Sequence, residues 1–172
     1  ADPSDPEQIA PLLKGLDLRM DYGADGVQRM YLSGRDVTEA IRVHQISGLA
    51  SQVAALPQVR AFLLDFQRRQ AQEHDVVMDG RDIGTTVFPD AELKIFVTAS
   101  PEIRAQRRYD ELQAKGEKGS YEEILENVKE RDRIDTSRAV SPLRKADDAI
   151  ELDNSHMTIS EQKEWLVARF RK

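Results

Sequence analysis

The stretch Val76-Val77-Met78-Asp79-Gly80-Arg81-Asp82-Ile83-Gly84-Thr85 runs from an apolar segment into a charged one. Its three apolar residues predict a short buried strand that ends at Asp79. The arginine that follows stands between two carboxylates and two glycines, which is more than a turn requires, because glycine alone would serve. In α/β folds, ligands bind at the carboxyl ends of parallel strands. The stretch therefore predicts an α/β fold with a functional site at this strand end.

Two other apolar segments resemble residues 76–78, and helical stretches separate all three. They are residues 93–97 and 149–152, and this alternation is typical of a parallel sheet. Residues 16–42 have a different pattern, in which apolar and charged side chains alternate between turn signals. We expect three short strands there, at 16–22, 27–32 and 37–41, forming a small antiparallel sheet. Helices are predicted at 6–14, 43–55, 58–74, 101–115, 121–141 and 159–170.

Composition excludes several classes of protein. The 172 residues contain no cysteine and three histidines, which excludes disulfides and thiolate catalysis and leaves oxygen as the expected ligand of any metal. A net charge of −6 argues against a nucleic-acid-binding surface. No apolar run reaches the roughly 18 residues of a membrane span, and the N-terminus has no signal pattern. We therefore expect a cytoplasmic protein with neither nucleic acid nor membrane as partner.

Arginines are concentrated in one third of this acidic chain. Such a local basic concentration favours a small anionic ligand, although a solvated helix surface is the alternative. The arginines concerned are Arg104, Arg107, Arg108, Arg131, Arg133 and Arg138.

The helix predicted after Ser120 has a stripe that changes character along its length. Ile124 and Val128 begin it, and Arg131, Asp135 and Arg138 continue it at steps of three and four residues. The helix either runs from a packed interior into a polar cleft or carries an exposed Arg131–Asp135 ion pair, worth about 0.3–0.5 kcal/mol. Spacing alone leaves both interpretations open.

The preceding helix places Arg104, Arg107 and Arg108 on one face. The connection after it, residues 115–119, contains two glycines among charged residues, which favours a mobile flap whose arginines close on phosphate. The alternative is an ordinary surface pair between Arg107 and Glu111.

Taken together, these segments closely resemble bacterial cytidylate (CMP) kinase. The matching residues are Gly80–Ala91, Leu93–Phe96, Lys129–Asp132 and Arg138–Leu143, with Ala50–Ala55 and Pro57–Arg60 before them. The resemblance covers essentially the whole chain, and so many separate matches in one order are far more specific than a lone Gly-Arg-Asp.

The resemblance implies a P-loop nucleoside monophosphate kinase, a transferase that moves the γ-phosphoryl group of ATP to CMP or dCMP with Mg²⁺. It implies an α/β fold with a three-layer, P-loop-NTPase-like parallel sheet, a small antiparallel-sheet lobe that binds the monophosphate, and a helical lid. Residues 1–172 would form one kinase domain, in which 12–74 are the lobe, 75–103 and 121–172 the core, and 104–120 the lid.

The resemblance also implies roles for individual residues. Ser51 and Asp135 would read the cytosine or the sugar, and Asp82 would orient the arginines beside it. Asp79 is a candidate for positioning Mg²⁺ through bound water. Arg104, Arg107 and Arg108 are the lid candidates for the ATP phosphates, with Arg107 preferred, and Arg81, Asp82, Arg131 and Arg107 are the catalytic candidates. The arginines that would hold the CMP phosphate are Arg60, Arg81, Arg131 and Arg138.

One family motif does not occur in these residues. The sequence has no Gly-x-x-x-x-Gly-Lys-Ser/Thr loop, whose amides and lysine cradle the ATP phosphates, and the family's N-terminal strands are also absent. Three explanations stay open: a piece of a full-length kinase, complementation by another segment, or a non-catalytic relative that binds CMP without an ATP site. The first predicts an active, monomeric full-length enzyme.

Overall fold

The computed structural model describes residues 2, 5–42, 44–54, 56–117 and 119–170. The chain divides into two units, Ala1–Val77 and Met78–Lys172, and each is described by itself. The division falls three residues after 74, the predicted end of the monophosphate lobe, but the functional assignment of lobe, core and lid stays a prediction.

The first unit combines three α-helices with a small sheet. Helix α1 (Pro6–Lys14) begins where the Asp5 carboxylate accepts a hydrogen bond from the Glu7 amide at 2.9 Å, a standard N-cap. Helices α2 (His44–Val53) and α3 (Pro57–Glu73) follow the sheet. Among the described side chains of this unit, the buried apolar ones are Ile9 of α1 and Val59 and Phe66 of α3, and α1 packs against α3.

The sheet of the first unit is antiparallel, as predicted, in the order β1 (Leu18–Tyr22), β2 (Gln28–Leu32), β3 (Arg35–Asp36). The predicted third strand at 37–41 is wrong, because β3 has only two residues and a 3₁₀ turn follows at Ala40–Arg42. The buried Thr38 explains the early end. Its hydroxyl accepts the Met30 amide at 3.0 Å, and its own amide bonds the Asp36 carboxylate, so side chains replace the backbone ladder.

The second unit contains a parallel pair of strands and three helices. Strands β4 (Ile95–Thr98) and β5 (Ile150–Asp153) pair in register from Ile95 with Ile150 to Thr98 with Asp153. The predicted strand at 76–78 is wrong: residues 75–79 form no strand, and Val77 is fully exposed. A strand needs backbone partners, and in the described part of the chain no neighbouring strand supplies them.

Helices α4 (Pro101–Ala114) and α5 (Tyr121–Ser137) form an antiparallel hairpin in this unit. Ser100 and Ser120 cap them as predicted, each hydroxyl accepting a backbone N–H three residues on, at 3.2 and 3.1 Å. Buried Ala105 and Leu112 lie along the inner side of α4. Helix α5 ends at Ser137, earlier than the predicted 141, and α6 (Ile159–Phe170) has the predicted bounds.

The observed architecture confirms a mixed α/β fold with one antiparallel and one parallel sheet. In the described residues the parallel sheet has two strands. No helix among these residues is both long and apolar enough to cross a membrane.

Candidate active site

Arg81 and Asp82 lie immediately before a rare structural element. Residues Ile83–Val87 form a single π-helical turn, in which the Asp82 carbonyl accepts the amide of Thr86 at 2.8 Å and that of Val87 at 3.3 Å. Val87 is buried and anchors the turn. Isolated π turns are frequent at functional sites because they redirect the chain. Arg81 and Asp82 therefore stand at the start of a fixed turn.

Asp135 of α5 joins this turn to the helix. Its Oδ2 lies 2.7 Å from Nε of Arg81, 54 positions earlier in the chain. The Asp135 side chain is 15% exposed and that of Arg81 46% exposed. The buried carboxylate therefore fixes an arginine whose guanidinium still faces solvent, where it can receive an anion.

Arg138 is the second arginine held at this carboxylate. Its Nη1 lies 3.6 Å from Asp135, its Nη2 lies 3.8 Å from Asp82, and its Nε donates to the Ser141 carbonyl at 2.6 Å. The side chains of Arg138 and Asp82 are buried to a similar extent, at 16% and 13% exposed. The structure thus brings together four of the predicted site residues in a network of two arginines and two aspartates: Arg81, Asp82, Asp135 and Arg138.

This network decides between the two interpretations of the α5 stripe. The Arg131–Asp135 surface pair is wrong, because Asp135 bonds Arg81 from another element. The Arg131 side chain is exposed and, among the described residues, makes no hydrogen bond or ion pair. The polar half of α5 therefore faces charged partners, as the cleft interpretation expects, and leaves the Arg131 guanidinium available.

The lid candidates Arg104 and Arg107 are bound to the core of the second unit. Arg104 makes a two-pronged ion pair with Asp132 of α5, at 2.8 and 2.5 Å, and its Nε donates to the Ala99 carbonyl. Arg107 donates to the side chain and the carbonyl of Asn154, just after β5, at 3.0 and 2.6 Å.

The surface pair expected between Arg107 and Glu111 does not form. Glu111 instead bonds Arg108 and Lys115, and these neighbours lower the pKa of Glu111, the Lys115 hydrogen bond foremost. Arg108 therefore pairs along α4 itself, whereas Arg107, although exposed, reaches Asn154 just after β5.

The ion pair between α4 and α5 has a clear electrostatic effect. The hydrogen bond from Arg104 holds the pKa of Asp132 below its usual value, and the charges of Arg81 and Arg131 lower it further. In return, the Asp132 carboxylate raises the pKa of Arg104. Sequence reasoning missed Asp132 as a site residue. Its position three residues before Asp135, on the same helix face, was the available signal.

Two of the remaining predicted site residues, Arg60 and Ser51, belong to the first unit, which is described by itself. In that unit, Nη1 of Arg60 donates to the Ala54 carbonyl at 3.3 Å. Ser51 lies in α2, and its side chain is outside the described residues. Asp79 is exposed.

The described residues do not form a metal site made of protein side chains alone. No group of three or more histidines, cysteines, aspartates or glutamates comes together among them. Mg²⁺ in kinases is held largely by nucleotide phosphates and water, with one or two carboxylates. A lone carboxylate such as Asp79 fits that arrangement, whereas an all-protein metal cage does not.

The chemistry of the network is suited to phosphate. Arginine stays ionised and presents a planar fork of donors that matches phosphate oxygens. Arg81 and Arg131 are exposed arginines at the site, and the Asp135 carboxylate fixes Arg81 without covering it. The arrangement can therefore bind and orient a phosphorylated anion.

Comparison with known proteins identifies the family. A sequence profile described as cytidylate kinase matches residues 1–172. The chain belongs to the cytidylate kinase family. Curated cytidylate kinases are similar along most of it. The protein of Bacteroides fragilis is 57% identical over 159 residues, which are 91% of this chain and 69% of the relative. That of Bacteroides thetaiotaomicron is 62% identical, over 83% of this chain and 62% of the relative.

A third cytidylate kinase, from Parabacteroides distasonis, is 52% identical over 96% of this chain and 73% of its own length. The predicted cytidylate kinase, a transferase of the nucleoside monophosphate kinase class, is thereby confirmed. The matches give no support to the non-catalytic alternative. The chain spans about two thirds of the length of these cytidylate kinases.

Proposed function

We propose that the protein transfers the γ-phosphoryl group of ATP to CMP or dCMP, giving ADP and CDP or dCDP. The observation that carries the proposal is the network in which the largely buried Asp82, Asp135 and Arg138 surround the exposed Arg81. Burying paired charges adds little stability compared with apolar residues of similar size. A network that holds one exposed guanidinium in a fixed position is better explained by recognition of an anion.

The proposed reaction needs positioning more than proton transfer. An oxygen of the CMP phosphate attacks the γ-phosphorus while the bond from that phosphorus to the bridging oxygen of ADP breaks. The attacking oxygen is already an anion near neutral pH, so no general base has to remove a proton from it. The protein must bring two anions together and neutralise the charge that shifts between them.

We assign the acceptor phosphate to arginines. Arg81 and Arg131 would contact it and meet the transferred charge, with Arg138 and Arg60 as further phosphate ligands. Asp82 would orient Arg138, and Asp135 would orient Arg81 while also facing the sugar or the cytosine, for which Ser51 is the other candidate. Fixed guanidinium groups stabilise transferred phosphoryl charge without reorganising.

The ATP phosphates are assigned to α4. Arg107, which the Asn154 side chain and carbonyl orient, is the first candidate, and Arg108 lies one residue beyond it. Bound Mg²⁺ would neutralise the β and γ phosphate oxygens, with Asp79 as the candidate that positions its water ligands.

The finer architecture belongs to the same proposal. We infer a three-layer, P-loop-type parallel core, with residues 12–74 as the monophosphate lobe and 104–120 as the lid. We propose the cytoplasm as its compartment, in keeping with its family. A monomer is proposed, which light scattering of the purified protein would test.

The test is CMP-dependent turnover of ATP by the purified protein and two variants. Arg81→Gln removes the exposed guanidinium that Asp135 holds, and kcat/KM is expected to fall about 100-fold or more. Arg133→Gln is the matched control, since Arg133 lies on the same helix as Asp135 but, among the described residues, pairs with Glu130 and not with the network. Equal turnover of both variants, or no CMP-dependent turnover by the unchanged protein, would overturn the proposal.

A further inference from the structure

Two carboxylates one turn apart on α5 each hold an arginine from another segment. Asp135 bonds Arg81, which follows residues 75–79, at 2.7 Å. Asp132 bonds both Nη atoms of Arg104 on α4, at 2.8 and 2.5 Å. The first carboxylate belongs to the network already described, but the second has no assigned role. Helix α5 therefore sets the position of two guanidinium groups from two different elements.

Arg104 is held too firmly for a group that swings onto a nucleotide. Its two terminal nitrogens bond the Asp132 carboxylate, and its Nε bonds the Ala99 carbonyl at 3.0 Å. The side chains of Arg104 and Asp132 are 35% and 32% exposed. A two-pronged, half-buried pair of this kind is geometrically specific and costs free energy to break.

Asp132 also lies in the field of the arginines that would bind phosphate. Besides Arg104, the charges of Arg81 and Arg131 act on its carboxylate and favour its ionised form. Three guanidinium groups that repel one another are thus all influenced by the Asp132 carboxylate, and Arg81 has its direct ion pair with Asp135 as well. A carboxylate in this position offers them what a phosphate also offers, namely negatively charged oxygens that can accept two hydrogen bonds from one guanidinium group.

We propose that Asp132 is a positioning residue, the internal counter-ion of an arginine cluster formed by Arg81, Arg104 and Arg131. It holds Arg104 against α5, offsets the repulsion among the three guanidinium groups, and competes with phosphate for their charge. The inference rests on the proposed function, in which Arg81 and Arg131 bind phosphate. It assigns Arg104 to the site as a fixed background charge rather than as a moving lid residue.

A counter-ion role predicts that loss of the Asp132 charge changes pyrophosphate affinity and kcat in opposite directions. Asp132→Asn keeps the side-chain shape and removes the charge, so the cluster gains net positive charge while Arg104 loses its anchor. Inorganic pyrophosphate is expected to bind about three- to tenfold more tightly, because one competing anion is gone. The kcat for CMP phosphorylation is expected to fall about tenfold, because the guanidinium groups are less well fixed. If Asp132 had only a structural role, the substitution would instead weaken pyrophosphate binding as well as lower kcat.

The control is Glu130→Gln, which makes the same change of charge on the same helix. Glu130 pairs with exposed Arg133 at 2.6 Å, away from Asp132. Calorimetry with pyrophosphate and steady-state kinetics would be measured for the unchanged protein and both variants. Pyrophosphate affinity of Asp132→Asn that equals the control, or falls below it, overturns the proposal.

A second variant covers the case in which Asp132→Asn does not fold. Arg104→Gln leaves the Asp132 charge unbalanced beside Arg81 and Arg131, and pyrophosphate should bind about tenfold more weakly. Unchanged affinity would again refute the counter-ion role. Pyrophosphate binding does not require turnover, so this measurement tests the counter-ion role of Asp132 separately from the proposed kinase activity. An inactive protein with the expected binding changes would refute the kinase activity alone.

Discussion

Ser33 shows how one residue can strain a turn of this protein. It forms with Gly34 the two-residue turn between β2 and β3, and its φ is +49°, followed by +79° at Gly34. Two successive positive φ angles define the type I′ hairpin, which favours Asn-Gly because asparagine tolerates this region better than serine. Gly34 therefore adopts the turn without backbone strain, whereas Ser33 adopts it with a conformational free-energy cost.

Ser33→Asn is expected to raise the free energy of unfolding by about 0.5–1 kcal/mol, because it relieves this backbone strain. Ser33→Val should lower it by about 1 kcal/mol or more, since a β-branched side chain is least tolerated at positive φ. Urea unfolding followed by circular dichroism measures both. An asparagine variant no more stable than the valine variant would show that the turn does not have this conformation.

At the scale of elements, the hairpin of α4 and α5 depends on a charged link as well as on apolar packing. Leu112 and Ala105 are buried between the helices, and Tyr109 meets Tyr121 edge to face at 6.5 Å between ring centres. Arg104 and Asp132 add the ion pair. The apolar contacts are independent of pH, and the longer Glu102–Lys129 pair, at 3.9 Å, is unchanged in an Asp132 variant. The difference in acid dependence between the protein and that variant should therefore report on the Arg104–Asp132 pair.

Asp132→Asn is expected to lower the stability of the protein by about 1 kcal/mol near neutral pH, the usual scale for a partly exposed pair. Arg104 holds the pKa of Asp132 below its usual value in the folded protein. The stabilisation is therefore complete above the unfolded pKa of about 3.9 and disappears as the pH falls through the lower folded value. Urea unfolding of both proteins between pH 7 and pH 3 should show the difference shrinking below about pH 4.

Salt provides the control for this measurement. Glu130→Gln breaks the exposed Glu130–Arg133 pair, and its effect should vanish in 1 M salt, where the screening length is about 3 Å. The half-buried Asp132 pair should be screened less. If the Asp132→Asn difference stays the same from pH 7 to pH 3, the carboxylate does not stabilise the hairpin through its charge.

Elements with local signals were predictable from the sequence, and elements that depend on distant partners were not. The starts of α4 and α5 follow from Ser100 and Ser120, whose hydroxyls cap the backbone three residues on. Val77 lies in a sequence typical of a strand, yet it is exposed outside any strand, because pairing requires a neighbour that apolarity alone does not supply. Thr38 ended a predicted strand through a side-chain hydrogen bond that no periodicity reveals.

The residues of the candidate site can be divided in the same way, into those that the sequence indicated and those whose partners lie far away in the chain. The resemblance placed Arg81 and Asp135 in one site, although 54 positions separate them, and their hydrogen bond brings them together. Helical spacing could not decide whether Asp135 pairs with Arg131 on its own helix, because both partners lie within reach of one face. Asp132 escaped notice since its partner, Arg104, is on a different helix.

On the scale of the whole molecule, an acidic protein has to attract an acidic substrate. The net charge of −6 repels a nucleotide at long range, although salt at 0.15 M limits this repulsion to about 8 Å. Close to the site, the guanidinium groups of Arg81, Arg131 and Arg138 replace this repulsion with a local attraction for phosphate. Recognition of CMP should therefore depend on these fixed local charges rather than on the overall field.

CMP should accordingly stabilise the folded protein by mass action. At 100 times its Kd, a ligand that binds only the native state adds about 2.7 kcal/mol, which raises the Tm of a chain of this size by roughly 5–10 °C. Arg138→Gln removes the guanidinium between Asp82 and Asp135 and should abolish most of the shift, whereas Arg133→Gln should retain it. Scanning calorimetry of each protein with and without CMP measures the shift independently of differences in basal stability. Equal shifts in the two variants would place CMP away from the charge network and so contradict the assigned site.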